Sequence, residues 1–441
     1  MNNALALDAL YRKVAWRIMP FLMLCYLLAL IDRTNVGFAK LQFMTDLGFS
    51  EAAFGLGAGI FYLGYLLFEI PSNLMLERSG VRKTLLRIMV LWGICTCALA
   101  FMTSPASFAV LRFLLGAAEA GFFPGVILYL TYWVPSNRRA WFTAILMSCP
   151  AVAGVVSGLL AGSIMHSTEG LLDMRGWQWL FLIEGAPAVL LGLGAVFFLS
   201  DRPQSAGWLT ADERAAVTAE VERDRSAKAE HSNATFLSAL KDPRFLLLLV
   251  PCFALFSSTS TNVFWAPTIL RNAGISNVFD IGMLLVIPNA FGLVVQLLVA
   301  RSSDRCQERY WHVTACLLMA AFGWLLMPFA GHSIVVSVIS LTLSIGGTIS
   351  AFGPFFSLPP TFLSRAAAPA GIALVTTVGS FAGFVMPLLI GKLTSAAGTL
   401  YAGQYCVGGL LVFGALILIG LSRKGPQAQP VAAASDSPAL S

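Results

Sequence analysis

The sequence has little charge. Only 11% of its 441 residues are Asp, Glu, Lys or Arg, whereas 57% are hydrophobic. Water-soluble domains carry about 25% charged residues, so this chain has too few polar side chains to cover a globular surface. A mean hydropathy of +0.78 supports the same conclusion. These values argue against a water-soluble enzyme and a disordered chain, and they indicate a protein embedded in a lipid bilayer.

Several signals of chemistry are also missing. The net charge is only +6, and no basic face interleaved with aromatic residues is present, so a nucleic-acid partner is not expected. The eight cysteines are scattered through apolar segments, and the four histidines lack metal-ligand spacing. Neither a cofactor nor a metal is expected, and nothing in the sequence favours an intramembrane enzyme.

Long apolar runs are abundant. A hydrocarbon core about 30 Å thick needs roughly 20 residues of helix to cross it, and charged or Pro/Gly-rich gaps separate runs of that length. The sequence therefore predicts an all-α membrane protein with twelve transmembrane helices. Numbered 1 to 12 in chain order, the predicted spans are 16–36, 54–76, 83–103, 107–132, 140–164, 178–199, 244–267, 279–300, 312–331, 333–357, 371–393 and 402–422.

The positions of the cations predict the orientation of these spans. Loops rich in Lys and Arg stay in the cytoplasm. If both termini are cytoplasmic, 22 of the 28 Lys and Arg residues lie on the cytoplasmic side and four on the outer side. We expect a multi-pass protein of a bacterial inner membrane with cytoplasmic termini, and we expect a monomer.

One long polar stretch divides the chain near its middle. It mixes acidic and basic residues at helix-compatible spacing, so we expect a cytoplasmic linker that is partly helical. The predicted organisation is an N-terminal six-helix bundle at 1–200, a linker at 201–243, a C-terminal six-helix bundle at 244–424 and a disordered cytoplasmic tail at 425–441.

An internal repeat supports two equivalent halves. The gap between spans 2 and 3 and the gap between spans 8 and 9 both place an acidic residue directly before a basic one. A carboxylate there can cap a neighbouring helix or pair with a basic residue, so we interpret the two gaps as gating elements; a solvated positive loop is the alternative. The gating candidates are Glu77, Arg78, Gly80, Arg82, Asp304 and Arg305.

Few ionisable side chains lie inside the spans, where each costs at least about 2.5–3.5 kcal/mol. Arg112 and Glu119 in span 4 are seven residues apart, so they point to one face of the helix. Arginine matches a carboxylate bidentately, and a glutamate away from water can take up a proton. The pair predicts an anion site beside a proton site, with Gly116 leaving room for a ligand or for span 1. The alternative is a structural ion pair joining spans 4 and 1.

The whole pattern resembles the major facilitator superfamily, and within it the anion:cation symporters, which include transporters for tartrate, galactonate and phthalate. Asn73 and Glu77 stand where the superfamily's signature loop has glycine and aspartate. The marks of the resemblance are Ile31–Asn35, Phe68–Leu74, Leu111–Gly116, Glu119–Gly125, Gly176–Gly185 and Gly353–Phe356. It implies the major facilitator fold, two pseudo-symmetric six-helix bundles.

The resemblance also implies roles for charged residues. Asp32 and Glu119 would couple transport to protons, and Arg33 and Arg112 would bind the substrate anion. From the sequence alone, Asp32 and Arg33 lie near the outer end of span 1, so snorkelling to the interface is the alternative. For Glu69 and Glu184, closer to helix ends, we expect structural roles.

Neutral polar side chains in the second half are further candidates. Most of them are expected to hydrogen-bond between helices. Asn262, Asn289 and Thr377 are the candidates for contacts with substrate hydroxyl groups or rings. In span 5, glycines at four-residue spacing, Gly154 and Gly158 among them, would let two helices touch and rock.

Together these features predict a secondary active transporter that takes up an organic carboxylate with protons by alternating access. The expected substrate is a small hydroxy-, sugar- or aromatic acid, tartrate- or phthalate-like. A proton-coupled exporter of drugs or metabolites is the alternative, although two inward arginines count against cationic substrates. A facilitator that works without protons would not explain why acidic side chains lie inside the spans. A membrane receptor that does not transport leaves the whole charge set unexplained.

Overall fold

The computed structural model describes residues 2–229, 243–362 and 368–423. The secondary structure that these residues form is helical throughout. Residues 230–242 of the predicted linker and the predicted tail at 425–441 lie outside the described residues.

Each predicted span corresponds to helix in the described residues. In the first half the spans are Asn2–Asp46, Glu51–Ser79, Val81–Leu99, Pro105–Glu119 with Phe122–Trp133, Ser136–Leu146 with Cys149–Ser167, and Gly176–Phe198. In the second half they are Pro243–Asn272, Val278–Cys306, Tyr310–Leu326, Ile334–Phe356, Ala368–Ala397 and Tyr401–Arg423. Short helices Pro359–Phe362, Leu171–Asp173, Pro203–Ser205 and Met327–Phe329 lie between spans.

Ten helices within the described part of the chain are long and apolar enough to cross a membrane. The other two predicted spans are helical as well. Span 3 begins with the cations Arg82 and Lys83, which lower its hydropathy, and span 5 is divided at Met147 and Ser148. The order and approximate positions of the twelve predicted spans are therefore those of the structure.

The spans assemble as two six-helix bundles. Spans 1 to 6 pack on one another, as do spans 7 to 12, and the bundles meet where span 2 contacts span 11, span 5 contacts span 8 and span 1 contacts span 7. We call the side of the membrane with the linker the linker side, and the side with loops 47–50 and 273–277 the far side.

Glycines bring the bundles together near the far side. A Cβ atom at Gly55 in span 2 would lie 2.3 Å from the backbone oxygen of Pro387, and one at Gly282 in span 8 would lie 2.2 Å from that of Gly158. Gly55 and Gly282 each lie one turn into a helix that begins on the far side. The two bundles are therefore closed against each other on that side in this conformation.

A buried ion pair lies at the same level. Lys40 Nζ is 2.8 Å from Glu51 Oε2, and the Lys40 side chain is only 3% exposed. Trp265 Nε1 of the other bundle donates to Glu51 Oε2 at 3.2 Å, and Lys40 Nζ lies 4.9 Å from the centre of the Trp265 ring. These contacts link spans 1 and 2 to span 7 and add to the closure.

The linker helix, Ala211–Ala229, lies against the first bundle. Lys13 Nζ of span 1 is 2.7 Å from Glu213 Oε2. Hydrogen bonds from Lys13 and from the backbone of Thr210 hold the pKa of the Glu213 carboxyl below its usual value. Asp224 accepts from the hydroxyl of Ser136 at the start of span 5.

We expect a side chain at position 282 to prevent far-side closure. In Gly282→Val, the new atoms meet the backbone of Gly158, which cannot move aside as a side chain could. The measurement is labelling of a cysteine placed at Ser157, which lines the cavity between the bundles, with a membrane-impermeant thiol reagent applied on the far side. Labelling should be faster in Gly282→Val than in its parent.

The matched control is Gly409→Val in span 12, because a Cβ atom at Gly409 would meet nothing within 4 Å. Its labelling should equal that of the parent. Equal labelling in Gly282→Val would contradict the assignment of this glycine contact to closure.

Candidate functional site

Asp32 and Arg33 lie inside span 1 and not at its end. The helix continues to Asp46, ten residues past the predicted end. Asp32 is 2% exposed, and its carboxylate accepts hydrogen bonds from Trp92 Nε1 at 2.9 Å and Asn35 Nδ2 at 3.0 Å. Snorkelling to the interface therefore does not describe Asp32. The sequence analysis placed Asp32 near the end of span 1, because residues 37–46 follow the apolar run and were interpreted as a loop.

Arg33 forms an ion pair with Glu119. Both Nε and Nη2 of Arg33 donate to Glu119 Oε1, at 2.8 and 2.5 Å. The Glu119 side chain is 1% exposed, whereas that of Arg33 is 31% exposed. The pair joins spans 1 and 4, as the structural alternative requires, and it leaves Oε2 of Glu119 without a hydrogen bond from any of the described residues.

Arg112 is buried without an anionic partner at contact distance. Its side chain is 1% exposed, and its Cζ lies 4.5 Å from the centre of the Phe61 ring. Within the described part of the chain, Nε and Nη1 lack hydrogen-bond partners and no salt bridge reaches this side chain. Asp32 is close enough for electrostatic attraction. Arg112 thus offers unused donors in a region where an unpaired charge is costly.

Gly116 serves a different contact from the one predicted. A Cβ atom at this position would lie 1.9 Å from the backbone oxygen of Phe61 in span 2. The backbone of span 2 therefore fills the space beside Gly116, where the sequence analysis expected a ligand or span 1. The sequence predicts a close approach at Gly116, but spacing alone does not identify the helix that approaches.

Span 4 is broken directly after Glu119, although the sequence predicts one continuous helix. Gly121 has φ +84°, in the left-handed region that favours glycine. A Cβ atom there would also lie 2.6 Å from Ser72 Oγ of span 2. The break makes Glu119 the last residue of its helix, where unpaired carbonyl groups favour a nearby cation such as Arg33.

A cavity of about 110 Å³ lies between the bundles, lined by spans 1, 5, 7, 8 and 10. The predicted residues Asn262 and Asn289 both line it. Asn262 Oδ1 accepts from Ser344 Oγ at 3.0 Å, and Asn289 Nδ2 donates to the backbone of Leu285 at 2.8 Å. The polar lining residues are neutral: Thr34, Ser157, Thr259, Asn262, Asn289 and Thr348.

The structure does not bring every predicted residue to this cavity. Thr377 is exposed on span 11 and is absent from the cavity lining. Asp32, Arg33, Arg112 and Glu119 are also absent from the cavity lining, and Thr34 is the lining residue that lies nearest to them along the chain. Sequence reasoning missed Ser157, Thr259 and Thr348, since single hydroxyls in apolar helices look alike whether they face a cavity or a helix.

The gap between spans 2 and 3 is the first of the two predicted gating elements. It is held by Asp201, an acid that the sequence analysis overlooked. Gly80 has φ +81°, and a Cβ atom on it would lie 2.8 Å from Asp201 Oδ1. The backbone N–H of Arg82 donates to the same oxygen at 2.9 Å. Arg78 is exposed, and the side chain of Glu77 lies outside the described residues. Asp201 follows span 6, on the same side of the membrane.

The gap between spans 8 and 9, the second predicted gating element, forms an ion pair between two of its own residues. Asp304 Oδ1 pairs with Arg309 Nη1 at 2.5 Å, and Arg305 is exposed. Like the contact of Asp201 with Arg82, this pair stays within its own bundle. In this conformation, these contacts therefore hold the loops of the two gaps within single bundles.

Comparison with known proteins identifies the family. The model of the Major Facilitator Superfamily matches residues 22–387, so the chain belongs to this superfamily. Its members are membrane transporters, and this protein is a transporter and not an enzyme.

Two relatives and one solved structure illustrate the likeness. The chain is 43% identical over 427 residues to the "Putative tartrate transporter" of Agrobacterium vitis, covering 97% of this chain and 98% of the relative. It is 38% identical over 412 residues to the "Quinolone resistance transporter" of Acinetobacter baumannii, covering 92% and 93%. The crystal structure of a bacterial homolog to the human lysosomal transporter Spinster has a TM-score of 0.77 at 18% identity, covering 94% of this chain and 97% of that one. This last likeness concerns the fold alone.

Proposed function

We propose that this protein is a proton-coupled importer of a small organic carboxylate in a bacterial inner membrane. The linker side is the cytoplasmic side, since 22 of the 28 Lys and Arg residues lie there in the proposed topology. The likeness to a relative named for tartrate supports an organic acid as the substrate class.

The observation that carries the proposal is the unused arginine of span 4. Arg112 is buried with two nitrogen atoms unpartnered, beside an ion pair whose arginine, Arg33, remains partly exposed. A guanidinium in such a setting binds a carboxylate strongly and with defined geometry. Glu119 pairs with Arg33 in this conformation.

In the proposed cycle, the acidic side chains and the substrate carboxylate compete for Arg33 and Arg112. From the outside, Glu119 and Asp32 each take up a proton. This releases Arg33 from its ion pair with Glu119 and removes the negative charge of Asp32 near Arg112, so that both arginines can receive the substrate carboxylate. The loaded site is largely neutral, so the bundles can rock across it and expose it to the cytoplasm. Loss of the protons to the less acidic cytoplasm restores the carboxylates, which then displace the substrate anion.

The cavity restricts the rest of the substrate. Its polar lining residues are uncharged, and the others, such as Phe38, Val263 and Ile345, are apolar. The cavity lining offers no cation, so the carboxylate groups of the substrate would lie at Arg33 and Arg112. We therefore favour a compact hydroxy-, sugar- or aromatic acid, tartrate- or phthalate-like, whose body carries groups that hydrogen-bond to the neutral lining.

A proton-coupled exporter is the second candidate, and the likeness to the quinolone resistance transporter favours it. An exporter of cations predicts that Arg33 and Arg112 serve packing alone. The two candidates differ in the charge of the substrate and in the direction of its movement.

The test is uptake into proteoliposomes with an imposed acid-outside gradient. The candidate substrates are tartrate, aldonates, benzoate-like acids and pyridine acids, together with one lipophilic cation. We expect the vesicles to accumulate a carboxylate, and a protonophore should abolish this accumulation. Movement of the cation alone, in the outward direction, would favour the exporter.

A further inference from the structure

The ring of Phe61 in span 2 contacts both arginines of the candidate site. Its centre lies 4.5 Å from Cζ of Arg112 and 5.7 Å from Cζ of Arg33. Phe61 is only 1% exposed. A guanidinium within about 6 Å of a ring centre is attracted by the negative face of the ring, and the attraction is stronger where water is excluded. The same ring therefore stabilises two positive charges.

Close packing of spans 2 and 4 sets the depth of this ring. A Cβ atom at Gly116 would lie 1.9 Å from the backbone oxygen of Phe61. Another at Gly64 would lie 2.3 Å from the backbone oxygen of Phe113. Arg112 lies one helical turn before Gly116. Because the two backbones touch at both points, the spans cannot slide past each other, and the ring stays at the level of Arg112.

The ring gives Arg112 a kind of support that an acidic residue could not give. A ring attracts the guanidinium while leaving its N–H groups unused, whereas a carboxylate would occupy those N–H groups. Within the described part of the chain, Nε and Nη1 of Arg112 have no hydrogen-bond partner. Phe61 thus offsets part of the cost of burying this charge and keeps the donors available for a ligand.

Arg33 has both kinds of support. Its Nε donates to Glu119 Oε1 at 2.8 Å, and its Cζ also lies 5.3 Å from the centre of the Tyr65 ring. In the proposed cycle, a proton on Glu119 releases the ion pair. The contact with Phe61 does not depend on that proton, so it can hold Arg33 near Arg112 after the release.

We propose that Phe61 is a positioning residue for substrate binding: its ring holds Arg112 and Arg33 close together, charged and with free N–H groups, so that both can receive the substrate carboxylate. Phe61 acts through the two arginines and not by touching the substrate. The role in binding rests on the proposed function, whereas the contact between the ring and Arg112 does not.

Fluorinated phenylalanines at position 61 test the contact without any substrate. One to three fluorine atoms, introduced by amber suppression, weaken the negative face of the ring and change its shape little. The melting temperature of the purified protein should fall with each fluorine. In an Arg112→Met background the fall should be smaller, because the main cation on the ring is gone. Equal falls in both backgrounds would mean that fluorine only disturbs packing, and the proposal would be wrong.

Transport by the same proteins tests the positioning role. KM for carboxylate uptake should rise about two- to tenfold from phenylalanine to the trifluorinated ring, because a guanidinium held less firmly loses more freedom when the substrate binds. Vmax should not change. Phe61→Leu, which has no ring, should raise KM at least as much. The matched control is the trifluorinated ring at Phe413, which is 55% exposed on span 12 and should alter neither KM nor the melting temperature.

The two measurements separate the possible failures. If the melting temperature falls with fluorination while KM stays constant, Phe61 stabilises the fold alone, and the positioning role is overturned. A wild-type protein that takes up no carboxylate would contradict the proposed function instead. The melting temperatures would still decide whether the Phe61 ring holds Arg112.

Discussion

Replacement of Glu119 by glutamine should abolish proton-driven accumulation and leave substrate exchange intact. Glutamine cannot take up or release a proton, and it lacks the charge that holds Arg33 at 2.5–2.8 Å in the wild type. The carrier would then stay in its loaded, neutral form and rock with substrate bound. Gradient-driven uptake into proteoliposomes should fall to the level of protein-free vesicles, while counterflow of labelled substrate continues.

The control for this change is Glu222→Gln, which makes the same substitution at an exposed position of the linker helix. Accumulation and counterflow should both match the wild type. If Glu119→Gln loses both activities equally while the purified protein stays folded, Glu119 is needed for substrate binding or structure, and its role as a proton carrier is wrong.

The order of the helices was accessible from the sequence because hydrophobic length and charged gaps are strong signals in a bilayer. The broken helices were not. The interruption of span 4 depends on Gly121 meeting Ser72 of another helix, and the extension of span 1 to Asp46 depends on contacts such as that with Trp177. Both features arise from packing between spans, which periodicity within one span does not contain.

The candidate site was likewise predictable from the sequence only in part. Seven-residue spacing predicts that Arg112 and Glu119 share a face, and both are buried at the junction with span 1. It does not predict that Arg33, and not Arg112, is the partner of Glu119. The pairing depends on the relative depth of spans 1 and 4. Asp201 was missed for a related reason, since its partner Arg82 is more than a hundred residues away in sequence.

Replacement of Arg112 by lysine should weaken substrate binding while the positive charge is kept. Lysine can still lie over the Phe61 ring, which the guanidinium contacts at 4.5 Å. It cannot offer two parallel donors to one carboxylate. Loss of one hydrogen bond to a charged group corresponds to about 1.5–3 kcal/mol, so KM for uptake should rise about ten- to a hundredfold.

The matched control is Arg223→Lys at an exposed position of the linker helix, for which KM should not change. Thermal stability of the purified protein distinguishes the two readings of Arg112. If the arginine is only a structural charge, Arg112→Lys should alter the melting temperature and leave KM at the wild-type value. If it binds the substrate, KM rises and added substrate stabilises the wild type more than the variant, because a ligand stabilises a protein in proportion to its affinity for the folded state.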